Sequence, residues 1–419
     1  MAEKVVHLSS VAGSPLLDSA GARLGRVEDV IARLDGREGL PPVTGLKARI
    51  GGRELFVPMD RIEGLEAAAA RTSTTKLNLA QFERRPGEVL LRSDVLGHSL
   101  IDMNTARLVA AREVELACID GTWHVAGIDS SPRARLRRML PRRFRGHEEE
   151  HDRFVDWSQL EPFVGHVPSA RLRLAHRRLA RLHPAQIADL VEAASHDEGE
   201  EILEAVAQDR ELEADIFEEL DEEHQVEFLR ERSDEQVAGV LARMASDDAA
   251  DLLMELAQDR RLPILGLLPP AKQRKIRGLL GHNPETAGGL MNPDFVSITE
   301  QSSAEQALEV LRRSELPAEQ SHTIVVIDQD GRLVGGVAAA ALVKAGPHES
   351  ISGLLEASHV AVSADADVPE IARLMTDYNL LMLPVVDADG RPIGVLTVDD
   401  ILERLLPEDW RRRYGAARE

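Results

Sequence analysis

Apolar positions along the chain change their spacing twice, and each change marks a change in the element they can build. Up to about residue 92 the apolar runs are short and end at turn residues. Leu16-Leu17-Asp18 stops before Gly21, Val30-Ile31-Ala32-Arg33-Leu34 stops at Asp35-Gly36, the run at 44–50 stops at Gly51-Gly52, and Leu55-Phe56-Val57 stops at Pro58. Short runs of this kind, bounded by Gly, Asp and Pro, predict a small and mostly β unit. A second block repeats the grammar: Ser99-Leu100-Ile101-Asp102 opens it, strands are expected at 112–119 and 123–128 around Asp120-Gly121, and Phe154-Val155-Asp156-Trp157 parallels 55–59.

Between 171 and 280 the spacing becomes helical and repetitive. Segments opening at Ile187-Ala188-Asp189-Leu190, Glu200-Glu201-Ile202, Ala214-Asp215-Ile216, Val226-Glu227-Phe228, Ala238-Gly239-Val240 and Ala250-Asp251-Leu252 recur. Their period of about 12–14 residues is one short helix plus a turn. Helices this short cannot bury their stripes alone, so a stacked superhelix is expected rather than a bundle of four long helices. Ser233 and Ser246, each followed by Asp, suit helix caps.

From 285 to 406 the pattern is β-α-β, twice. Strands at 323–328 and 383–386 end at Asp330-Gly331 and Asp389-Gly390. A second strand and a helix follow each, at 333–338 and 339–344 and at 392–398 and 399–405, and helices at 304–313 and 368–378 precede the hairpins. The expected division is therefore two β domains (1–92, 93–168), an acidic helical domain (169–284), two α/β domains (285–350, 351–406) and a tail (407–419): a multidomain α+β chain.

Composition adjusts this picture in three places. With 419 residues and 43% hydrophobic content the chain can bury several cores. The single cysteine, Cys118, excludes a disulfide framework and a cysteine-rich zinc site, and its place in the alternating run 114–119 predicts a core thiol. No apolar N-terminal segment follows a basic start, and the most apolar stretch, 333–343, is far shorter than the ~20 residues of a spanning helix. The expectation is a cytoplasmic protein, peripheral at the inner face of a membrane only through a partner.

Charge is the third. Lys and Arg number 50 against 72 Asp and Glu, a formal charge of −22 that disfavours DNA as a partner. An arginine run from Arg133 to Arg145 breaks the second β block. It reads either as a contact for acidic headgroups, RNA or the acidic domain, or as a solvated loop neutralised by Glu148-Glu149-Glu150. His147 and His151 are four apart with no third partner. No Walker motif, nucleophile elbow or Gly-x-Gly-x-x-Gly follows a strand, so no enzyme is expected.

The residues suited to chemistry lie late in the chain. In the second α/β copy Gly394 would let backbone approach a ligand, Thr397 and the amides at the following helix start suit phosphate, and Asp400 can hold ribose hydroxyls. Thr397 and Asp400 suit a plain helix cap equally well. The first copy has Gly335, Ala338 and Ala341 at the matching positions, without hydroxyl or carboxylate, which leaves one polar cleft per chain.

On these motifs the duplicated unit resembles a tandem of CBS domains, which implies an adenine nucleotide such as ATP or AMP at Gly394, Thr397 and Asp400. The two β blocks, with Leu24-Gly25-Arg26-Val27 entering and Val155-Asp156-Trp157 closing, resemble PRC-barrel domains, which implies two small β-barrels serving as docking modules. The helical region plus Pro284-Glu285-Thr286-Ala287-Gly288-Gly289-Leu290-Met291-Asn292-Pro293-Asp294-Phe295-Val296 resembles the cytosolic region of the MgtE-type magnesium transporter family. That resemblance covers about 180–406 and implies magnesium bridging Asp247, Asp248 and Asp251 on the last acidic repeat, Asp365 and Asp367 before the second CBS helix, and Asp399, Asp400 and Glu403 at the end of that domain. Mg²⁺ keeps waters and takes single carboxylates from facing elements, so such a set suffices to hold a closed arrangement.

The family continues into membrane helices where this sequence stops. The expected function is thus a magnesium-responsive, nucleotide-responsive regulator, homodimeric through its CBS domains and partnered with a membrane magnesium channel or transporter. The alternatives are the cytosolic subunit of such a transporter and an adaptor on RNA or the ribosome through the barrels and Arg133 to Arg145.

Overall fold

The computed structural model describes residues 4–34, 39–66, 69–73, 80–131, 154–162, 176–355 and 360–406. The arginine run from Arg133 to Arg145, the pair His147 and His151, and the tail 407–419 lie outside these residues. The chain forms two compact units, Met1–His224 and Gln225–Glu419.

The first unit opens with β1 (Lys4–His7) and the helical turn α1 (Leu8–Val11). Module one follows as β2 (Pro15–Leu17), β3 (Arg23–Arg33), β4 (Val43–Ile50), β5 (Arg53–Pro58), a 3-10 turn (Met59–Arg61) and β6 (Ile62–Glu66), then β7 (Ala69–Thr72), β8 (Ala80–Gln81) and β9 (Glu88–Leu90). After a helical turn at Leu91–Val95, module two repeats the series as β10 (Ser99–Asp102), β11 (Arg107–Ala110), β12 (Glu113–Ile119), β13 (Thr122–Asp129), β14 (Phe154–Asp156), a 3-10 turn (Trp157–Gln159) and β15 (Leu160–Pro162).

The repeat holds in register. Gly45 opposes Pro58 and Leu46 opposes Val57 in module one, and Gly127 opposes Asp156 and Ile128 opposes Val155 in module two. A side chain on Gly45 would lie 2.6 Å from the Phe56 ring, and one on Gly127 2.8 Å from the Phe154 ring. Both positions therefore exclude a Cβ. Register shifts fall at matching places too, between Ile31 and Ala32 and between Glu115 and Leu116.

The modules exchange their leading strands. β1, which precedes module one, pairs with β12 of module two, whereas β9, which precedes module two, pairs with β3 of module one. Each exchanged strand runs into a helical turn whose free amides meet a buried carboxylate. Asp29 of β3 accepts from the Arg92 and Ser93 N–H groups at 2.7 and 3.1 Å, from the Ser93 hydroxyl and from the Val30 N–H. Glu113 of β12 accepts from Ser9 N–H at 3.0 Å and from Val114 N–H. These contacts cap the turns as an N-cap side chain would.

Two small barrels were the expectation. The strands instead form a path β6-β7-β2-β3-β4-β5-β8 with β9 on β3, a four-stranded sheet β1-β12-β13-β14 and a three-stranded sheet β11-β10-β15. Among the described residues no pairing closes a barrel. The reason is the exchange, together with the insertion of β7 between β6 and β2, where module two pairs β15 with β10 directly. One hydrophobic core, from Val6 and Leu16 through Leu46 and Val89 to Leu116 and Leu160, serves both modules. Cys118 is half-buried against that core rather than within it.

Short helices follow: α2 (His176–Leu179), α3 (Pro184–Ala193), α4 (His196–Val206) and α5 (Arg210–Glu219) in the first unit, with α6 (Glu222–Arg230) starting at the division. Each longer one buries a pair of neighbours, such as Leu190 and Val191 or Ile216 and Phe217, and α3 packs on α4 and α5. The second unit continues with α7 (Asp234–Leu241), α8 (Ser246–Glu255), α9 (Gln258–Leu267) and α10 (Pro270–Leu279), α9 lying against α7 and α8. Ser233 caps α7 in a capping box with Gln236, as its sequence suggests. Ser246 does not cap. It is the first helical residue, and its hydroxyl donates to Asp294 at 3.0 Å.

After a short turn, α11 (Ala287–Leu290), two β-α-β copies complete the unit. The first has β16 (Ser297–Thr299), α12 (Ala304–Arg313), α13 (Ala318–Ser321), β17 (Thr323–Ile327), β18 (Leu333–Ala338) and α14 (Ala339–Lys344). The second has β19 (Val362–Ser363), α15 (Val368–Tyr378), β20 (Met382–Val386), β21 (Pro392–Thr397) and α16 (Val398–Leu405). Each sheet pairs its first strand parallel and its hairpin antiparallel, and the hairpin tips meet where Leu333 N–H donates to Gly390 O.

The buried caps give the fold a direct test. Asp29→Ala strands two or three buried N–H donors, so urea unfolding is expected to show a loss of about 2–4 kcal/mol. Glu113→Ala removes fewer bonds and is expected to lose about half as much.

Candidate functional site between helix α8 and the second α/β copy

The segment joining the helices to the α/β copies decides where the acids lie. Ala287 and Gly288 donate their N–H groups to Ala366 O and Ala364 O, both at 2.8 Å, and Thr286 bridges Asp367. A Cβ on Gly289 would stand 2.3 Å from Asn283 O and 2.6 Å from Pro284 Cα, and one on Gly288 2.6 Å from the His282 ring. The glycine pair is thus required for this close approach. Three residues after Gly289, Asn292 exchanges both backbone hydrogen bonds with Val395 of β21. The chain therefore crosses the second copy before it builds the first.

This crossing brings α8 to the second copy. Asn292 Nδ2 donates to Asp247 Oδ1 at 3.0 Å, and Asp294 receives the Ser246 hydroxyl and the Lys275 ammonium. Asp251, one turn further along α8, pairs with Arg404 Nη2 of α16 at 3.1 Å. Asp247 is half-buried, while Asp248 and Asp251 are exposed. Asp365 and Asp367 are exposed ahead of α15, which Asp367 caps by accepting from Glu370 N–H. Asp399 and Glu403 are exposed on α16. The structure brings Asp251 to α16 and Asp247 to the junction. It does not gather the acids singled out in the sequence into one three-ligand cluster. Asn292 and Asp294 lie within the junction segment 284–296 without a role that the sequence assigns, and Lys275 and Arg404 were not singled out.

Among the described residues, the one set of three with all ligand atoms within 4.8 Å is Glu192, Asp221 and His224, in the first unit. Their bonds are those of a helix start: Glu192 accepts Asp221 N–H at 2.9 Å, and Asp221 accepts from His224 N–H and contacts its Nδ1 at 2.7 Å.

At the positions expected from the sequence to hold a nucleotide, Thr397 is buried and its hydroxyl donates to Asp400 Oδ2 at 2.6 Å, while Thr397 N–H donates to the same oxygen at 3.0 Å. This is a capping box at the start of α16. Burial raises the Asp400 pKa above 3.8, the two Thr397 bonds oppose the rise, and the Asp399 charge adds to it. Gly394 is buried beneath Met291: a Cβ there would stand 2.7 Å from the Met291 sulfur. In the first copy Ala338 stands at the N-cap of α14 with no side-chain cap, as the missing hydroxyl and carboxylate require.

Comparison with known proteins agrees with this architecture. Residues 182–285 match the MgtE intracellular N domain, and 287–347 and 355–407 match CBS domains. The magnesium transporter MgtE of Thermus thermophilus is 39% identical over 142 residues, 34% of this chain and 32% of that protein. The chain spans about a third of the length of the curated relatives it matches. Two crystal structures are similar over 55% of this chain. One is the cytosolic domain of the Mg²⁺ channel MgtE in complex with ATP, at 30% identity, 93% coverage of that chain and a TM-score of 0.51. The other is the soluble part of a magnesium transporter, at 26%, 90% and 0.50. Among the described residues no helix is long and apolar enough to cross a membrane.

The Asp400 carboxyl makes a pH test. Its folded pKa lies above its unfolded value, so its contribution to stability is full below the unfolded value near 3.8 and is lost as pH rises through the folded value. Asp400→Asn keeps an acceptor for Thr397 and removes the titration. In urea titrations the wild type is expected to lose stability relative to the variant across that window and to run parallel to it above.

Proposed function

We propose that this chain, which over residues 182–407 belongs with the cytosolic regions of MgtE, is a magnesium- and adenine-nucleotide-responsive regulator acting at the cytosolic face of a magnesium transport system. The observation that carries the reading is the acidic helix α8 held on the second CBS copy, through Asp247 to Asn292 and Asp251 to Arg404. Exposed carboxylates stand on both elements, Asp248 on α8 and Asp399 and Glu403 on α16, and a hard divalent cation drawing ligands from both would favour the closed arrangement. Asp247, Asp248 and Asp251 on α8, with Asp365, Asp367, Asp399, Asp400 and Glu403 on the second copy, are the acids from which magnesium would draw ligands. Gly394, Thr397 and Asp400 would take the ribose and phosphate of ATP or AMP, so Asp400 serves both ligands.

Two further features belong to this reading. Val310, Val343, Tyr378, Leu402 and Leu405 are exposed on α12, α14, α15 and α16, an apolar set suited to pairing two copies through their CBS helices. The β modules ahead of residue 182 would then dock the regulator on its partner, a membrane magnesium channel or transporter. Regulation rather than turnover is the role this site supports.

Calorimetry of the full chain with Mg²⁺, ATP and AMP tests the assignment. Asp248→Ala is expected to weaken magnesium, and Asp400→Ala nucleotide, by about tenfold or more each, the loss of one charged contact. Unchanged affinities in both variants would sink it.

A further inference from the structure

We infer that Arg404 is a resident counter-ion that holds α16 on α8 without magnesium and competes with the ion for Asp251. The inference rests on the proposed function for its magnesium half and on geometry alone for the rest. Arg404 Nη2 stands 3.1 Å from Asp251 Oδ2, joining residues 153 apart in sequence. Its neighbours on the same face follow one scheme. Asp294 is neutralised by Lys275, and Asp247 accepts the Asn292 amide. The chain thus brings its own donors to Asp247 and Asp251, two of the acids from which a divalent ion would draw ligands.

Chemistry separates this arginine from a passive surface charge. A guanidinium is a planar fork of donors carrying a positive charge, so it matches a carboxylate as a standing partner. It sits in the last turn of α16, where the helix dipole favours a cation. A divalent ion that takes Asp251 as ligand must exchange with it. The consequence is a set point: the contact between α8 and α16 exists at zero magnesium, and magnesium binds there more weakly than to a bare carboxylate. Both side chains are about half exposed, 41% for Arg404 and 52% for Asp251, so the effect is modest, about two- to fivefold.

The test is hydrogen exchange of the full chain, followed at the amides of α8 and α16 in chelator and in saturating Mg²⁺, with the magnesium midpoint taken from the titration between them. Arg404→Gln is expected to speed exchange in chelator by about two- to fivefold and to tighten the midpoint by a similar factor. The reversed pair, Asp251→Arg with Arg404→Asp, is expected to restore protection in chelator. If Arg404→Gln matches wild type both in chelator and in midpoint, the counter-ion role is overturned, even where magnesium protects both proteins. If Arg404→Gln loosens the helices while neither protein responds to magnesium, Arg404 still holds the contact and it is the magnesium-sensing reading that falls.

Discussion

Backbone against backbone at Gly288 and Gly289 is the contact on which the second unit depends. With no Cβ at either position, the junction lies within van der Waals reach of Asn283 and Pro284 on one side and Ala364 on the other. From there the chain can only run along the second CBS copy, where Asn292 pairs with Val395. Everything that places α8 follows from that line: Asn292 holds Asp247, Asp294 gathers Ser246 and Lys275, and Asp251 comes within reach of Arg404. An alanine at position 289 would have to move main-chain atoms, which overpacked sites resist at about 1–3 kcal/mol. The crossing also sets Asn292 beside Gly394, so the proposed nucleotide cleft and the proposed magnesium face meet at one residue.

The β modules obey a different constraint. A helical turn that begins inside a core has N–H groups with no partner of their own. Here each is supplied by a carboxylate from the module that the chain has not yet built or has already left, Glu113 for the turn after β1 and Asp29 for the turn after β9. Taking a carboxylate out of water is costly, and the Asp29 pKa is raised by its burial in spite of the bonds it receives. That cost is tolerated because the same groups close the core between modules. It also makes the two modules one folding unit, with a single shared core and no separable boundary at the turn between them.

Much of this was legible from local pattern. The helices at 304–313 and 368–378 and the strand-to-helix change at 338 and 339 coincide with the elements observed, because period and capping are local properties. The duplication of the β blocks was legible for the same reason, down to Phe154 and Trp157 standing where Phe56 and Met59 stand. Pairing between distant strands was not. Nothing in Lys4–His7 announces that it will lie on Glu113–Ile119, and without that exchange the two blocks read as closed barrels. The same limit hid the roles of Asp294 and Arg404, whose partners lie 19 or more residues away, although Asp294 lies in the junction segment and Arg404 follows the acids at 399, 400 and 403. Ser246 misled because a serine before two acids favours a cap, while the local helix starts one residue earlier and turns the hydroxyl to Asp294.

Asp400 shows why one residue can satisfy a structural and a ligand-binding reading at once. A capping box needs an acceptor three residues after the cap, and the ribose of the proposed nucleotide would need an acceptor at the mouth of the same helix; one carboxylate can meet both demands. In the structure both Thr397 donors lie on Oδ2, and the group is buried enough that its charge is disfavoured. A cation or a hydroxyl arriving at this carboxylate would stabilise the ionised form that burial penalises, so binding draws on a cost already present in the fold. The first copy, with alanines at these positions, has neither the cap nor the poised charge, and its helix is six residues long against eight. The asymmetry between the two copies is therefore one of electrostatics before it is one of ligands.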